Sequence, residues 1–203
     1  SGSNTTAGNI TTAASNTTTA STGRPTLSIA ENVRFVPRFA FPAQQAARLG
    51  RVTHFSVKVM SLMPPSSKWF ATPWRQTPAY QGGFLLDGGV HHAAAARLFL
   101  CGPDNRPASV RAFTDRVRDF LPPIDTVTAI VRTASGATGT FQHSAGTLME
   151  AFEWEVACER GTVRSAGETV TAPEEALADL EFLEKMFRSG EQDGALLEYE
   201  LQL

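Results

Sequence analysis

Asp87 and His91 lie four residues apart in the stretch "GGFLLDGGVHHAAAARLFLCG", residues 82–102, which otherwise reads as an apolar helix. Four residues is about one helical turn, so both side chains project from one face. A carboxylate beside an imidazole orients the ring and favours its charged form, an arrangement suited to moving a proton to or from a hydroxyl or carbonyl. Gly88 and Gly89 separate the two. Each costs up to ~1 kcal/mol in a helix interior relative to alanine, which makes sense where another backbone, a cofactor or a substrate must come close. Arg75, in the upstream "WRQTP", supplies a positive partner for an oxygen-rich ligand. A plainer reading stands beside this one: an Asp–His pair at this spacing also serves to cap a helix or satisfy a polar core. Trp74 and Tyr80 fit equally well as walls of a ligand pocket or as packing beneath a loop.

Other candidate groups point to less. His91 and His92 project about 100° apart on a helix and do not face one ion, so no metal site is expected there. His54 and His143 fall on expected strands and read as structural or surface residues. Cys101 and Cys158 sit in apolar settings, "LFLCG" and "WEVACE", where cysteine is most often a small buried hydrophobe. Two such residues make no disulfide framework, and a reducing, cytoplasmic setting is the expectation.

The elements that position these residues follow from periodicity and punctuation. "PTLSIAENVRFV" predicts a strand up to Pro37, "PAQQAARLG" a short helix from Pro42 to Gly50, and "RVTHFSVKVMSLM" a long strand. A polar, proline-rich connection leads to the apolar helix. Four strand candidates follow: "PASVRAFTDRVR", "DTVTAIVRTASG", "ATGTFQHSAG" and "FEWEVACERG", with a hairpin around Gly136. "GTVRSAGETVTA" suggests two more short strands. "PEEALADLEFLEKMFRSGEQDG" is an amphipathic helix with Leu177, Leu180, Leu183, Met186 and Phe187 on one stripe and Gly190 as its stop. "ALLEYELQL" suits a frayed helix or a closing strand. Strands joined by hairpins, with two or three helices over one face, predict an α+β fold: an open, mainly antiparallel sheet in two layers.

Composition bounds the rest. With 203 residues, 42% of them hydrophobic, the chain suits one domain with a real core. A net charge of −2 leaves no basic footprint for nucleic acid, and no apolar run approaches the roughly 20 residues of a membrane helix. Residues 1–23 are almost entirely Ser, Thr, Asn, Ala and Gly and read as a flexible tail or linker, leaving residues 24–203 as the folded domain. The sequons at Asn4, Asn9 and Asn16 in that tail matter only in a secreted chain.

Taken in order, "AENVRFVPRF", "GRVTHFSVKV", "KWFATPWRQTPAYQGGFLLDGGVHH", "LFLCG" and "SGATGTFQHS" closely resemble the C-terminal domain of the Gfo/Idh/MocA oxidoreductases, from about Pro25 to Gly161. The resemblance implies an open sheet with helices on one face that docks on a Rossmann domain, the sheet commonly mediating dimerisation. It maps the family's aspartate onto Asp87 and its catalytic histidine onto His91, which bind and deprotonate or reprotonate a sugar or polyol hydroxyl while hydride moves to or from NAD or NADP. Arg75, Trp74 and Tyr80 are then the candidate substrate contacts. The chain departs from the family in having neither a G-x-G-x-x-G turn nor βαβ alternation, no Glu-Lys-Pro lysine among Lys58, Lys68 and Lys185, and Ala94 where an aspartate is often found. A helix of the F-x-x-x-I-x-x-G kind expected before "PEEALADL" is also missing. The resulting expectation is the substrate and dimerisation domain of an NAD(P)-dependent sugar or polyol oxidoreductase, inactive alone and holding no nicotinamide cofactor tightly. Its partners would be a second copy, through the sheet, or a separate Rossmann polypeptide. The alternative is a non-catalytic module that kept the sheet for self-association or partner binding.

Overall fold

Seven strands, most of them burying alternate residues over at least part of their length, assemble into one sheet. A computed structural model describes residues 31–81, 83–165 and 176–200; the expected tail, residues 1–23, lies outside them. The strands are β1 (Val52–Leu62), β2 (Pro107–Asp115), β3 (Thr126–Thr133), β4 (Thr138–Ser144), β5 (Gly146–Cys158), β6 (Gly161–Ser165) and β7 (Leu197–Glu198), in the order β6-β5-β1-β4-β3-β2-β7. All neighbours pair antiparallel except β1 and β4. β3 and β4 form the expected hairpin, with Gly136 at φ 90°. β4 and β5 are consecutive in the chain yet unpaired, because β1 lies between them.

The helices are α1 (Pro37–Arg48), α2 (Pro73–Gln76), α3 (Gly83–Phe99) and α4 (Ala176–Glu191). α1, α3 and α4 cover one face: α1 packs on β5 and β6, α3 on β4, and α4 on β2 and β3, with α3 held between the other two. That placement explains why α3 is apolar nearly all round. Ala93, Ala94, Ala95 and Ala96 are all buried, and their small side chains allow close approach on several sides. From the sheet, Phe55, Val57, Val131, Phe141, Trp154 and Val156 point into this layer. Phe39, Phe152 and Trp154 meet edge to face, with centroids 4.7 Å apart for Phe39–Trp154 and Phe152–Trp154.

Several boundaries depart from expectation. The described part of "PTLSIAENVRFV" is no strand: Val33–Phe35 form a single 3-10 turn. α1 begins at Pro37, not Pro42, because the apolar spacing that buries Phe39, Ala43 and Ala46 runs one turn further back. Pro37 occupies the first turn, where its missing N–H matters little, and Pro42 lies inside the helix. Gly190 does not stop α4. The helix passes through it, its missing side chain leaving room for Thr114, and the chain turns instead at Asp193 and Gly194, both at positive φ. Of the two strands read in "GTVRSAGETVTA", β6 is present, while residues 166–175 lie outside the described part. "ALLEYELQL" contributes a closing strand, Leu197 and Glu198 pairing with Val110 and Ser109. Cys158 is buried as expected, whereas Cys101 is exposed at the end of α3.

Candidate functional site

The N-terminal half of α3 emerges beside an open cleft of about 790 Å³, walled by β1, by β5 and by α3 itself. Gly88, His91 and His92 reach it from the helix, His143 from β4, and Glu150 and Glu153 from β5. The rim of β5 exists because the register slips between Met60 and Leu62 of β1, so that residues 147–150 bow out of the ladder.

His91 is oriented by a residue far away in sequence. Its Nδ1 lies 2.7 Å from Oε2 of Glu31, whose Oε1 accepts the Val33 N–H at 2.9 Å. The Glu31 side chain is buried, while that of His91 is 46% exposed, so the carboxylate grips one edge of a ring still open to the cleft. Burial pushes the Glu31 carboxyl up, but the His91 hydrogen bond, the Val33 N–H and the charges of His91 and Arg34 outweigh it. The net pKa lies below the usual carboxylate value. Local spacing could not reveal Glu31, since it is 60 residues from His91; its only sequence signal is its place in "AENVRF".

Asp87 has a different partner from the one its spacing suggests. Its Oδ2 accepts from Arg75 Nε at 2.8 Å and lies 2.7 Å from Arg75 Nη2. Arg75 also donates to Thr72 Oγ1 at 2.9 Å and the Trp69 carbonyl at 3.3 Å, and its guanidinium stacks 4.1 Å from the Trp74 ring. This two-pronged clamp ties the loop carrying α2 to α3. Trp74 and Tyr80 are about half exposed and do not line the cleft. Tyr80 instead donates to Glu184 on α4 at 2.8 Å, which, with burial, raises its hydroxyl pKa. Asp87, Arg75 and Trp74 thus form one cluster with the loop, Tyr80 is tied to α4, and His91 belongs with Glu31 and the cleft.

Gly88 and Gly89 have separate explanations. A Cβ on Gly88 would meet only Phe84 at 3.8 Å, leaving cleft space open beside His91. A Cβ on Gly89 would lie 3.0 Å from Leu183 and 3.2 Å from His143, so that glycine lets α4 and β4 close on α3. Below the cleft His92 and His143 meet edge to face, centroids 4.6 Å apart. His143 is buried with its Nδ1 3.1 Å from the Val59 carbonyl, so Nδ1 carries a proton and donates it to that oxygen. Desolvation lowers its pKa to about 4 despite that bond, and burial together with His143 and His91 drives His92 well below its ordinary value. His54, in contrast, is exposed on β1. Among the described residues no three His, Cys, Asp or Glu side chains gather as metal ligands, and no helix is long and apolar enough to cross a membrane.

Comparison with known proteins places this architecture. The GFO/IDH/MocA C-terminal domain family model matches residues 43–164. Dehydrogenase FPY6 of Fusarium mangiferae is 33% identical over 141 residues, 68% of this chain and 40% of that protein. An uncharacterized Saccharomyces cerevisiae protein, YMR315W, is 33% identical over 106 residues, 52% of this chain and 29% of its own. The chain therefore spans less than half the length of the curated relatives it matches. An oxidoreductase from Thermotoga maritima superposes with a TM-score of 0.74 at 25% identity, covering 88% of this chain and 64% of that one. The WlbA dehydrogenase of Bordetella pertussis, solved with NADH and UDP-GlcNAcA, shares the fold with a TM-score of 0.70 at 22% identity, covering 86% and 64%.

Proposed function

The chain belongs to the Gfo/Idh/MocA oxidoreductase family through its C-terminal domain, and from that premise we propose that it is the substrate-binding and self-association domain of an NAD(P)-dependent dehydrogenase of sugars or polyols. The observation that carries this reading is the Glu31–His91 pair at the edge of the cleft. A carboxylate on Nδ1 fixes the tautomer with its proton on that nitrogen, so Nε2 is the site that takes and returns a proton. Nε2 accepts the proton of a substrate hydroxyl as the alcohol becomes a carbonyl and returns it in the reverse direction. Glu31 stabilises the imidazolium formed in between. The open space over Gly88 admits the carbon bearing that hydroxyl, and Glu150 and Glu153 accept hydrogen bonds from neighbouring hydroxyls. Asp87 and Arg75 act on the substrate through the loop they hold in place.

A nicotinamide held by a neighbouring domain would supply or receive the hydride. The described residues fit this group poorly on their own: the one parallel strand pair, β1 and β4, carries no glycine-rich turn leading into a helix N-terminus to cradle a pyrophosphate. Cofactor grip is accordingly assigned to a nucleotide-binding domain. The face of the sheet opposite the helices exposes Phe113 and Ile130 among polar residues, which supports pairing with a second copy through that face.

The test joins this chain to a nucleotide-binding domain of the family and follows NAD(P)H absorbance with a panel of sugars and polyols. His91→Ala should abolish turnover at a temperature where the variant is still folded, its melting temperature falling because the buried Glu31 carboxylate loses its partner. Undiminished turnover in that variant removes the acid/base role. Inactivity of every pairing, with dimers in solution, favours the non-catalytic module.

A further inference from the structure

The cleft continues past His91 and His92 into a second, smaller recess of about 220 Å³, lined also by Asn32, Val33, Arg38, Phe39 and Phe152. His91, His92 and Phe152 border both spaces. The Arg38 guanidinium lies 4.6 Å above the Phe152 ring and 5.8 Å from that of Phe39. Stacking of this kind fixes the guanidinium plane and leaves its edge to act as a fork for planar oxyanions. Five N–H donors also allow it to serve a ligand alongside its protein contacts.

The two spaces differ in charge. The main cleft carries the carboxylates of Glu150 and Glu153, while the recess is lined by Arg38, its nearest carboxylate, Glu31, being buried behind Val33 and His91 and already bonded to both. A ligand with hydroxyls at one end and an anion at the other is therefore accepted in one direction only, because the reverse would set like charges together in partly desolvated space. We propose that the recess binds the carboxylate of an acidic sugar, with Arg38 as its anchor, so that a hydroxyl of the same molecule is presented to His91. This assignment rests on the reading of the main cleft as the substrate site. It names Arg38 as the residue that selects uronic acids over neutral sugars.

The experiment uses the 203-residue chain, with D-glucuronate and D-glucose as probes. Calorimetry gives the affinities, and the imidazole proton resonances report contact with His91. Glucuronate should bind roughly ten-fold tighter than glucose, a preference that falls with added salt. Arg38→Met keeps an apolar stem over Phe152 but removes the fork; it should erase the preference, the ratio of the two affinities falling to about one. Arg38→Lys, which keeps the charge, should restore part of it. Equal affinity for both sugars in the wild type, with His91 perturbed by each, overturns the recess proposal and leaves the cleft reading standing. A preference that survives Arg38→Met also overturns it. If neither sugar moves the His91 resonances, both readings fall together.

Discussion

The Nδ1 atom of His91 and the Oε2 atom of Glu31 lie 2.7 Å apart, joining the middle of α3 to the segment that precedes α1. The same carboxylate also receives the Val33 N–H. Glu31 is thus at once an orienting group for a ring beside the cleft and a fastening for the 3-10 turn.

Glu31→Gln tests that double role. Glutamine still offers an oxygen to Val33 but loses the charge facing His91, so a stability loss of about 1–3 kcal/mol is expected at pH 7. The Glu31 pKa is depressed in the fold, so its contribution is complete above the unfolded carboxyl value and is lost as pH falls through the folded one. Urea unfolding of both proteins at pH 7 and in mild acid should show the gap at neutral pH and its closure below the ordinary value of 4.5. A gap of the same size at both pH values would mean that the charge contributes nothing.

The two glycines of α3 should respond in opposite ways. Alanine at position 88 gains up to about 1 kcal/mol of helix propensity and meets only Phe84 at 3.8 Å, so the melting temperature should rise. The added methyl occupies the cleft, and sugar binding should weaken. Alanine at position 89 presses on Leu183 at 3.0 Å and His143 at 3.2 Å, and should cost about 1–3 kcal/mol. Thermal melts of the two variants side by side decide the matter; a stabilised Gly89→Ala would show that α4 and His143 yield easily.

Much of this architecture could be read from the sequence because it is periodic. The alternation in "RVTHFSVKV" and "DTVTAIVRT", and the Leu183, Met186 and Phe187 stripe, announce β1, β3 and α4. The start of α1 escaped because Pro42 looks like an initiator, and only the burial of Phe39 shows that the helix is already under way. The site divided in the same manner. Spacing placed Asp87 and His91 on one turn, but it could not show that a loop arginine holds the first and a glutamate 60 residues upstream the second. Those partners are chosen by chain folding, about which local periodicity carries no information.

The Arg75–Asp87 contact should be measurable as a coupling. The single changes Arg75→Met and Asp87→Asn each loosen the loop carrying α2, and once one partner is gone the other has less left to lose. Asp87 is partly exposed, so solvent screening limits the coupling to about 1–2 kcal/mol. A double-mutant cycle by chemical unfolding should give that value, with faster amide exchange over residues 67–77 in each variant. Strictly additive losses would show that the two groups act separately.

The buried imidazoles predict an acid-sensitive fold. His143 is held to a pKa of about 4, against an ordinary 6.5, mainly because burial disfavours its charge. Between those values the unfolded chain binds the proton and the folded one does not, so stability rises with pH across the window. The contribution is present in full above pH 6.5 and is lost as pH falls towards 4, a change of roughly 3 kcal/mol. His92, packed against His143 and shifted the same way, steepens the loss. His143→Gln cannot titrate, and should flatten the pH dependence of the unfolding free energy by up to about 1.4 kcal/mol per pH unit in that window. If wild type and variant show parallel pH profiles from 6.5 to 4, His143 takes up its proton as readily in the native state as in the unfolded chain, and the neutral ring beneath the cleft must be abandoned.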